Sequence, residues 1–495
     1  MSSFAADLSG LCLAVSLTLF LASRKSTFRA TSPCETPGPA PLVIVSCDEL
    51  IAAGKEGSTS YGLAGADEHV LYAALRARGV NFHVRSWSDA SVDWRAYSVV
   101  LCRTAWDYSE SEARAYAFTK WLGATARTCR VLNDARVMAW NIHKSYLAEL
   151  VDVSRGLPRA PGALELATIP SEFVPAGARV DLAALLARVG WTVIDIIFKP
   201  CVGGGSRACH VMRVGDSDAL ARAQAFIDAH VLGDGGVVGD ARVAHAALVA
   251  GSHAAAAHVH AIAHGSPPTS AIASTLSYSV TPAAAHSSLA ARALGANAAA
   301  AEGSDFTAWS LTAAVAPCDM LIQPFFESVS EGELSVIFIN SQFSHAVRKR
   351  PRAGEFRCQE EYGGVASLTT LPPSVLALAE RALAAARIAV STRMPDLDAP
   401  SSPGAATLER NTLLPPLPAG SIFVSRFDFL PANPDLIKRA WPKSGNAPHP
   451  STPWLLLEAE LIEPALFFKE AASGGVDAAG ALAEALEREL AAAVA

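Results

Sequence analysis

Between Pro41 and Asp134 the chain alternates two kinds of pattern. PLVIVS, VNFHVRSW, YSVVLCRT and CRVLND are short apolar runs bounded by polar or turn-forming residues, whereas ADEHVLYAALRARG and EARAYAFTKWLGA repeat apolar positions at helical spacing. The first pattern predicts strands and the second amphipathic helices. Strands alternating with helices imply a parallel sheet, so residues 42–135 are expected to form an N-terminal α/β domain of the doubly wound type. Ligands of such sheets gather at the carboxyl ends of the strands. The loop holding Arg103, Trp106, Asp107 and Tyr108 is therefore a candidate substrate wall; the alternative is a surface loop around one buried Trp.

Val193–Val214 (VIDIIFKPCVGGGSRACHVMRV) breaks this alternation. An apolar strand ends in Lys199-Pro200, passes through Gly203, Gly204 and Gly205 to Ser206, and resumes as a second strand. A glycine run lets backbone N–H groups wrap phosphate oxygens, and a lysine just before it adds a point charge. The order is neither that of the P-loop, where Lys follows the glycines, nor that of the dinucleotide fingerprint, where GxGxxG opens a helix. Taken alone, the segment also reads as a plain hairpin turn.

Trp454–Phe468 (WLLLEAELIEPALFF) reads as a buried strand, yet it carries Glu458, Glu460 and Glu463. Ionised carboxylates in apolar surroundings are normally paired, hydrogen-bonded or bound to metal. Side chains alternate along a strand, so Glu458 and Glu460 share a face, as do Arg426 and Asp428 in SRFDFL. Two such strands side by side would gather three carboxylates and a guanidinium. Such a group suits Mg2+, which takes hard oxygen donors from a few carboxylates plus substrate phosphates. The alternative is an Arg426 salt bridge with two solvated glutamates. Glu463, out of step with the pair and followed by Pro464, is expected to start a helix.

These segments occur in a fixed order with others: WNIHKSYLAEL upstream, then MLIQPFFESVSEGELSVIFINSQFSHAVRKRP and GEFRCQEEYGG. Their joint order resembles the ATP-grasp superfamily. More closely, it is similar to the branch of glutathione-synthetase-like and RimK-like ligases that includes the O-ureido-serine cyclo-ligase type. The resemblance implies an N-terminal doubly wound pre-ATP-grasp domain followed by a two-subdomain ATP-grasp fold, with a small subdomain over 136–315 and a C-terminal subdomain over 316–495. It assigns Asp428, Glu458 and Glu460 as metal ligands. Many relatives carry Asn at the last position, so Glu460 makes this site more acidic. By the same resemblance Lys144 and Lys199 contact phosphates, Gly203, Gly204, Gly205 and Ser206 fold over them, Gln323, Pro324 and Phe325 read the adenine edge largely through backbone, and Glu333 holds the ribose hydroxyls. Arg348, Lys349 and Arg357 are candidates for the reacting phosphate or a substrate carboxylate, and Arg426 joins Arg348 and Arg357 in the catalytic set. His345 is expected to be a packed core histidine. The implied activity is ATP- and Mg2+-dependent ligation, with Mn2+ as the alternative metal, of a small-molecule carboxylate to an amine through an acylphosphate. A small-molecule kinase and a non-catalytic nucleotide-binding protein are the alternatives.

Composition narrows this further. At 495 residues and 51% hydrophobic, the chain can build two or three domains with sizeable cores. A formal charge of -7 without a basic stripe argues against nucleic acid as a partner. Nine scattered cysteines without a CxxC pair predict reduced thiols. Leu11–Ala22 (LCLAVSLTLFLA) is short for a membrane span and is followed by basic, hydroxylated SRKSTFRATS, so residues 1–41 are expected to be a targeting leader and linker. That implies entry to an organelle or the secretory route, a cytoplasmic location being the alternative, and no stable span in the mature protein. The Ala-rich stretch 216–315, with His230, His245, His253, His258, His260 and His264, is expected to be an insertion rather than a metal site. Residues 391–420 and 431–453 read as surface loops. The pattern leaves self-association open.

Overall fold

A computed structural model describes residues 40–53, 62–159, 162–216, 218–233, 317–392, 417, 420–442, 448 and 453–494. The expected leader and His245, His253, His258, His260 and His264 of the expected insertion lie outside these residues. Among the described residues no helix is long and apolar enough to cross a membrane, and the described cysteines are free thiols.

The N-terminal domain runs β1 (Leu42–Ser46), α1 (Asp48–Ala53), α2 (Gly62–Ala77), β2 (Phe82–Ser86), β3 (Val99–Thr104), α3 (Glu112–Thr125) and β4 (Arg130–Leu132). The strands pair in parallel in the order β2-β1-β3-β4. Alternation along β1 explains why the sheet is covered on both faces. Leu42 and Ile44 pack with Leu71, Leu75 and Phe82, whereas Val43 and Val45 pack with Trp87, Phe118 and Leu122. Ser111 caps α3 by accepting from the Arg114 backbone N–H. The carboxyl end of β3, beside β1 where the winding reverses, delivers Arg103 and a turn over Trp106–Glu110 to the interior of the molecule.

Two short helices follow, α4 (Ala135–Asn141), capped by Asp134, and α5 (Tyr146–Gly156). The small subdomain contains β5 (Glu172–Val174), α6 (Leu182–Val189), β6 (Ile196–Pro200), β7 (His210–Met212), α7 (Ala219–Leu232) and β8 (Met320–Pro324), with antiparallel sheet order β5-β8-β6-β7. Its core of Leu182, Leu186, Trp191, Ile196, Phe198, Ile227 and Ile322 is its own. Regular structure therefore extends into the stretch read as an insertion. His230 sits on α7 with Nδ1 2.8 Å from the Phe226 carbonyl.

The large subdomain is built on a five-stranded antiparallel sheet, β11-β10-β9-β12-β13. Its strands are β9 (Glu333–Ile339), β10 (Gln342–Arg350), β11 (Val365–Leu368), β12 (Val424–Pro431) and β13 (Trp454–Glu460), and its helices α8 (Pro373–Thr392), α9 (Pro434–Ala440), α10 (Phe468–Ser473) and α11 (Ala478–Val494). One face of the sheet presents Leu334, Val336, Phe338, Phe427 and Phe429 to α5 and α8. The other face is divided. At one end Ile337, Ile339 and Val424 share a core with β1, α2 and α11, and at the other end the same face carries Glu333, Ser335, Arg426 and Asp428. Helix α9 lies within a stretch read as loop; Asn433 caps it by accepting from the Leu436 N–H, with Pro434 in its first turn.

Candidate active site

β12 and β13 run antiparallel with Arg426 opposite Glu460 and Asp428 opposite Glu458. That register places one carboxylate oxygen from each of Asp428, Glu458 and Glu460 within 4.8 Å of the others. Arg426 does not pair with all three. Its Nε and Nη2 each lie 3.0 Å from Asp428, on Oδ1 and Oδ2 respectively, and its Nη2 also donates to Glu460. Ser335 donates to Asp428 Oδ1 at 2.6 Å. Lys349 Nζ bridges Glu333 and Asp428 at 2.7 and 2.8 Å. Burial opposes ionisation of Asp428, but Arg426 and Lys349 outweigh it and hold the carboxyl well below the usual range. Burial, reinforced by Glu458 and Asp428, pushes Glu460 up to about 7 against the pull of Arg426.

Glu458 belongs to a different set of contacts. Its Oε1 lies 3.4 Å from Lys144 Nζ, which donates at 2.7 Å to the Gly203 carbonyl. The Lys144 N–H also donates to the Cys201 carbonyl at 2.9 Å. Lys144 thus ties the glycine turn to the carboxylate cluster. Lys199, half-buried on β6, lies with Lys144, Glu458 and Arg357 within electrostatic reach of the Cys209 thiol, so these charges converge on one volume.

In the turn itself Gly205 and Ser206 are left-handed, with φ of 60° and 54°. A Cβ at Gly204 would lie 3.2 Å from Ser109 Oγ, so the turn packs closely on the N-terminal domain. Its other side meets the segment after β10, where Gln359 Nε2 donates to Ser206 Oγ at 3.0 Å.

The remaining candidates are distributed as follows. Gln323 is buried and donates from Nε2 to Ser171 Oγ at 2.8 Å, while its Oε1 has no partner among the described residues. Pro324 ends β8, and the Phe325 N–H is already engaged by the Asp195 carbonyl at 2.6 Å. At this position the Gln323 side chain carries an acceptor without a partner, while one backbone donor, the Phe325 N–H, is already taken. Glu333 is buried against Lys349. Arg357 is held bidentately by Glu355, at 3.0 and 2.6 Å, and lies 3.7 Å over the Tyr362 ring. Arg348 is not brought to the cluster: alternation along β10 turns it away from Lys349, and its Nη1 reaches the Glu331 carbonyl at 3.4 Å.

In the N-terminal wall, Asp107 accepts from Trp87 Nε1 at 2.6 Å and from Arg114, and Arg103 is buried against Glu68 at 2.7 Å. Tyr108 instead stacks on Phe118, with ring centroids 4.9 Å apart. Burial and then Glu463, Glu460 and Glu458 raise its hydroxyl well above the usual range. His345 is a core histidine, 3% exposed, with Nε2 2.9 Å from the Leu466 carbonyl. Glu463 does not start a helix; α10 begins at Phe468. Sequence reasoning missed Ser335, although its place two residues beyond Glu333 on one strand was a usable signal. It also missed Asn133 and Asn141, whose side chains bind the backbone of β12 and β13.

Residues 42–133 match the family model described as D-cycloserine synthetase DcsG, N-terminal domain. A curated relative, the cycloserine biosynthesis protein DcsG of Streptomyces lavendulae, is 30% identical over 91 residues, 18% of this chain and 29% of that protein. The chain thus aligns with less than a third of that relative's length. Among solved structures, that of D-cycloserine synthetase DcsG is similar with a TM-score of 0.49 at 17% identity, covering 91% of this chain and 99% of that one. The D-alanine–D-alanine ligase of Bacillus anthracis is similar with a TM-score of 0.42 at 8% identity, covering 92% and 99%. The chain thus combines a parallel N-terminal sheet with a small and a large antiparallel sheet, and Lys144 links a glycine turn to a carboxylate cluster.

Proposed function

We propose that the protein is an ATP- and Mg2+-dependent ligase that joins a small-molecule carboxylate to an amine or related nucleophile, releasing ADP and phosphate. The observation that carries this reading is the link through Lys144 between the glycine turn and three carboxylates whose oxygens converge within 4.8 Å. An all-oxygen donor set fits Mg2+, and Mn2+ as the second choice. The orphaned Gln323 Oε1 fits a nucleotide, because the exocyclic amine of adenine is the donor it lacks.

Asp428, Glu458 and Glu460 would hold the metal, which when bound neutralises charge on the phosphate oxygens. Lys144 and Lys199 would pair with phosphate oxygens, under backbone donated by Gly203 to Ser206. Glu333 would accept from the ribose hydroxyls. Arg426 would keep Asp428 and Glu460 ionised and aimed, a positioning role given its contacts with both. Lys349 would be freed from Glu333 and Asp428 to meet charge that develops on the transferred phosphoryl group. The substrate carboxylate would then be an acylphosphate open to attack by the amine.

The full chain, incubated with ATP, Mg2+ and panels of carboxylates with and without amines, is expected to release ADP in a carboxylate-dependent manner. Hydroxylamine should trap the activated acyl group as a hydroxamate. A stable phosphoester formed on a hydroxyl of a panel member, with no amine required, would overturn the ligase reading in favour of a kinase, and no ADP release with any panel member would overturn catalysis itself.

A further inference from the structure

The ligase reading leaves open what selects the nucleophilic co-substrate, and the segment between β13 and α10 bears on it. Side chains from three directions hold its backbone. Arg103 donates to the Pro464 carbonyl at 2.8 Å, Arg426 to Ala465 at 3.5 Å, and His345 Nε2 lies 2.9 Å from Leu466 O. Asn133 donates to Leu461 O at 2.7 Å, and Asn141 accepts from the Leu461 N–H at 2.9 Å. Phe467 closes the segment in the left-handed region, with φ of 52°. A backbone fixed at so many points presents its remaining side chain, Glu463, at a set position.

Glu463 lies where the carboxyl edge of the N-terminal sheet meets the carboxylate cluster. Arg103, Asp107, Tyr108, Arg426 and Glu460 are within its electrostatic reach. Among the described residues it makes no hydrogen bond or ion pair. The two guanidinium groups nearby are already taken. Arg103 gives Nε and Nη2 to Glu68 Oε1 at 3.0 and 2.7 Å, and Arg426 is shared by Asp428 and Glu460. Glu68 Oε2, on a residue 4% exposed, is also without a partner. Among the described residues the region therefore holds one buried oxygen without a donor and, in Glu463, a half-buried carboxylate that neither neighbouring guanidinium pairs with.

We infer that Glu463 is the anchor for a cationic nitrogen of the co-substrate, so that the nucleophile is a small molecule bearing an ammonium group. Tyr108 forms the facing wall, and the site adjoins the volume in which the acyl group is activated. The carboxyl of Glu463, which burial and Glu460 hold above its ordinary range, would be drawn back down by the cation. The inference rests on the ligase reading for the identity of the bound molecule, but the cation site can be tested without turnover.

Saturation-transfer NMR on the full chain, with Mg2+ and AMPPNP present, should show transfer to the methyl protons of methylammonium and little to those of methanol. The Glu463→Gln variant is expected to lose about fivefold or more of the methylammonium signal, and Glu463→Asp to recover part of it, with the AMPPNP dissociation constant within about twofold in all three. Unchanged transfer in Glu463→Gln, or equal transfer to methanol, would overturn the cation site. With any amine that promotes ADP release, Glu463→Gln should raise KM for that amine about tenfold while kcat moves far less, and an unchanged KM would overturn the anchoring role. Absence of amine-dependent ADP release in the wild type would instead count against the ligase reading, and the NMR comparison would still decide the site.

Discussion

Asp428 and Glu458 face one another across the β12–β13 pair, yet neutralising them has opposite expected consequences. Asp428 is the shared partner of Arg426 and Lys349, all three largely buried, so Asp428→Asn strands two cations. Breaking such a pair costs about 3–5 kcal/mol, and thermal melting of this variant should show a loss on that scale. Glu458 touches Lys144 and not Arg426, and both side chains are partly solvated. Glu458→Gln should therefore keep the fold while removing ADP release and weakening Mn2+ binding, read by the metal's own relaxation signal in the absence of substrate. A lowered melting point with normal ADP release would place Glu458 in a purely structural pair. Lys199→Ala should weaken ATP at least about tenfold, or roughly 1.4 kcal/mol, by calorimetry. At this scale the sequence was informative because strand alternation is a property of the residue and its neighbours, and it grouped Arg426 with Asp428 and Glu458 with Glu460. It could not say which carboxylate the arginine takes. That follows from the register, including the irregularity between Asp428 and Phe429, and from Lys144, which reaches Glu458 from α5's approach.

Among the elements, the segment from Leu461 to Phe467 depends on β10 through His345. Its imidazole is pushed down from 6.5 to about 4, chiefly by burial, so the fold accepts the neutral ring and disfavours the charged one. The sign follows: this contribution to stability is fully present above the unfolded value of 6.5 and is lost as pH falls toward 4. At pH 5 the loss is about 2 kcal/mol relative to pH 8. Asp67, raised by burial to about 7, changes stability in the opposite direction over the same window. The prediction therefore concerns a difference: denaturant unfolding at pH 8 and pH 5 should bring wild type and His345→Gln closer together in stability at the lower pH. A gap that does not change with pH would mean the ring is not held neutral. The seam at Asn133 was hidden in the sequence for a related reason. Its side chain serves the Val424 and Leu461 carbonyls and the Phe423 and Val424 N–H groups, and nothing local to LND signals partners some three hundred positions away. Helix α9 was hidden less well, since Asn433-Pro434 is a cap followed by a first-turn proline.

The whole molecule divides into a rigid body and a small subdomain with a separate core. The N-terminal sheet and one face of the large sheet share a single hydrophobic cluster, from Leu42 and Leu71 to Ile337 and Leu482. That union was not legible in the sequence, because β9 (ELSVIFI) is buried along its entire length and ends in four consecutive apolar residues, Val336 to Ile339, so alternation does not tell its two faces apart there. The small subdomain keeps its own core and meets the rest through a second apolar cluster, in which Ile197 and Phe325 join Leu430, Leu436 and Leu455, and through polar contacts: Lys144 with Gly203, Gln359 with Ser206, and Trp191 Nε1 with the Ala440 carbonyl. A unit with a core of its own opens at a lower free energy than the global transition. Amide exchange of the full chain should therefore find β6, the glycine turn and β7 exchanging well before β1 and β9. If nucleotide is clasped between the turn and the carboxylate cluster, adding Mg2+ and AMPPNP should slow exchange across residues 196–212 by about tenfold or more, while β1 and β9, already buried, change little. The same addition to Glu458→Gln should give much weaker protection, because the link from cluster to turn passes through Lys144 and Glu458. Protection that spreads evenly over all three sheets, or that is absent from the glycine turn, would mean that the nucleotide does not bind beneath that turn.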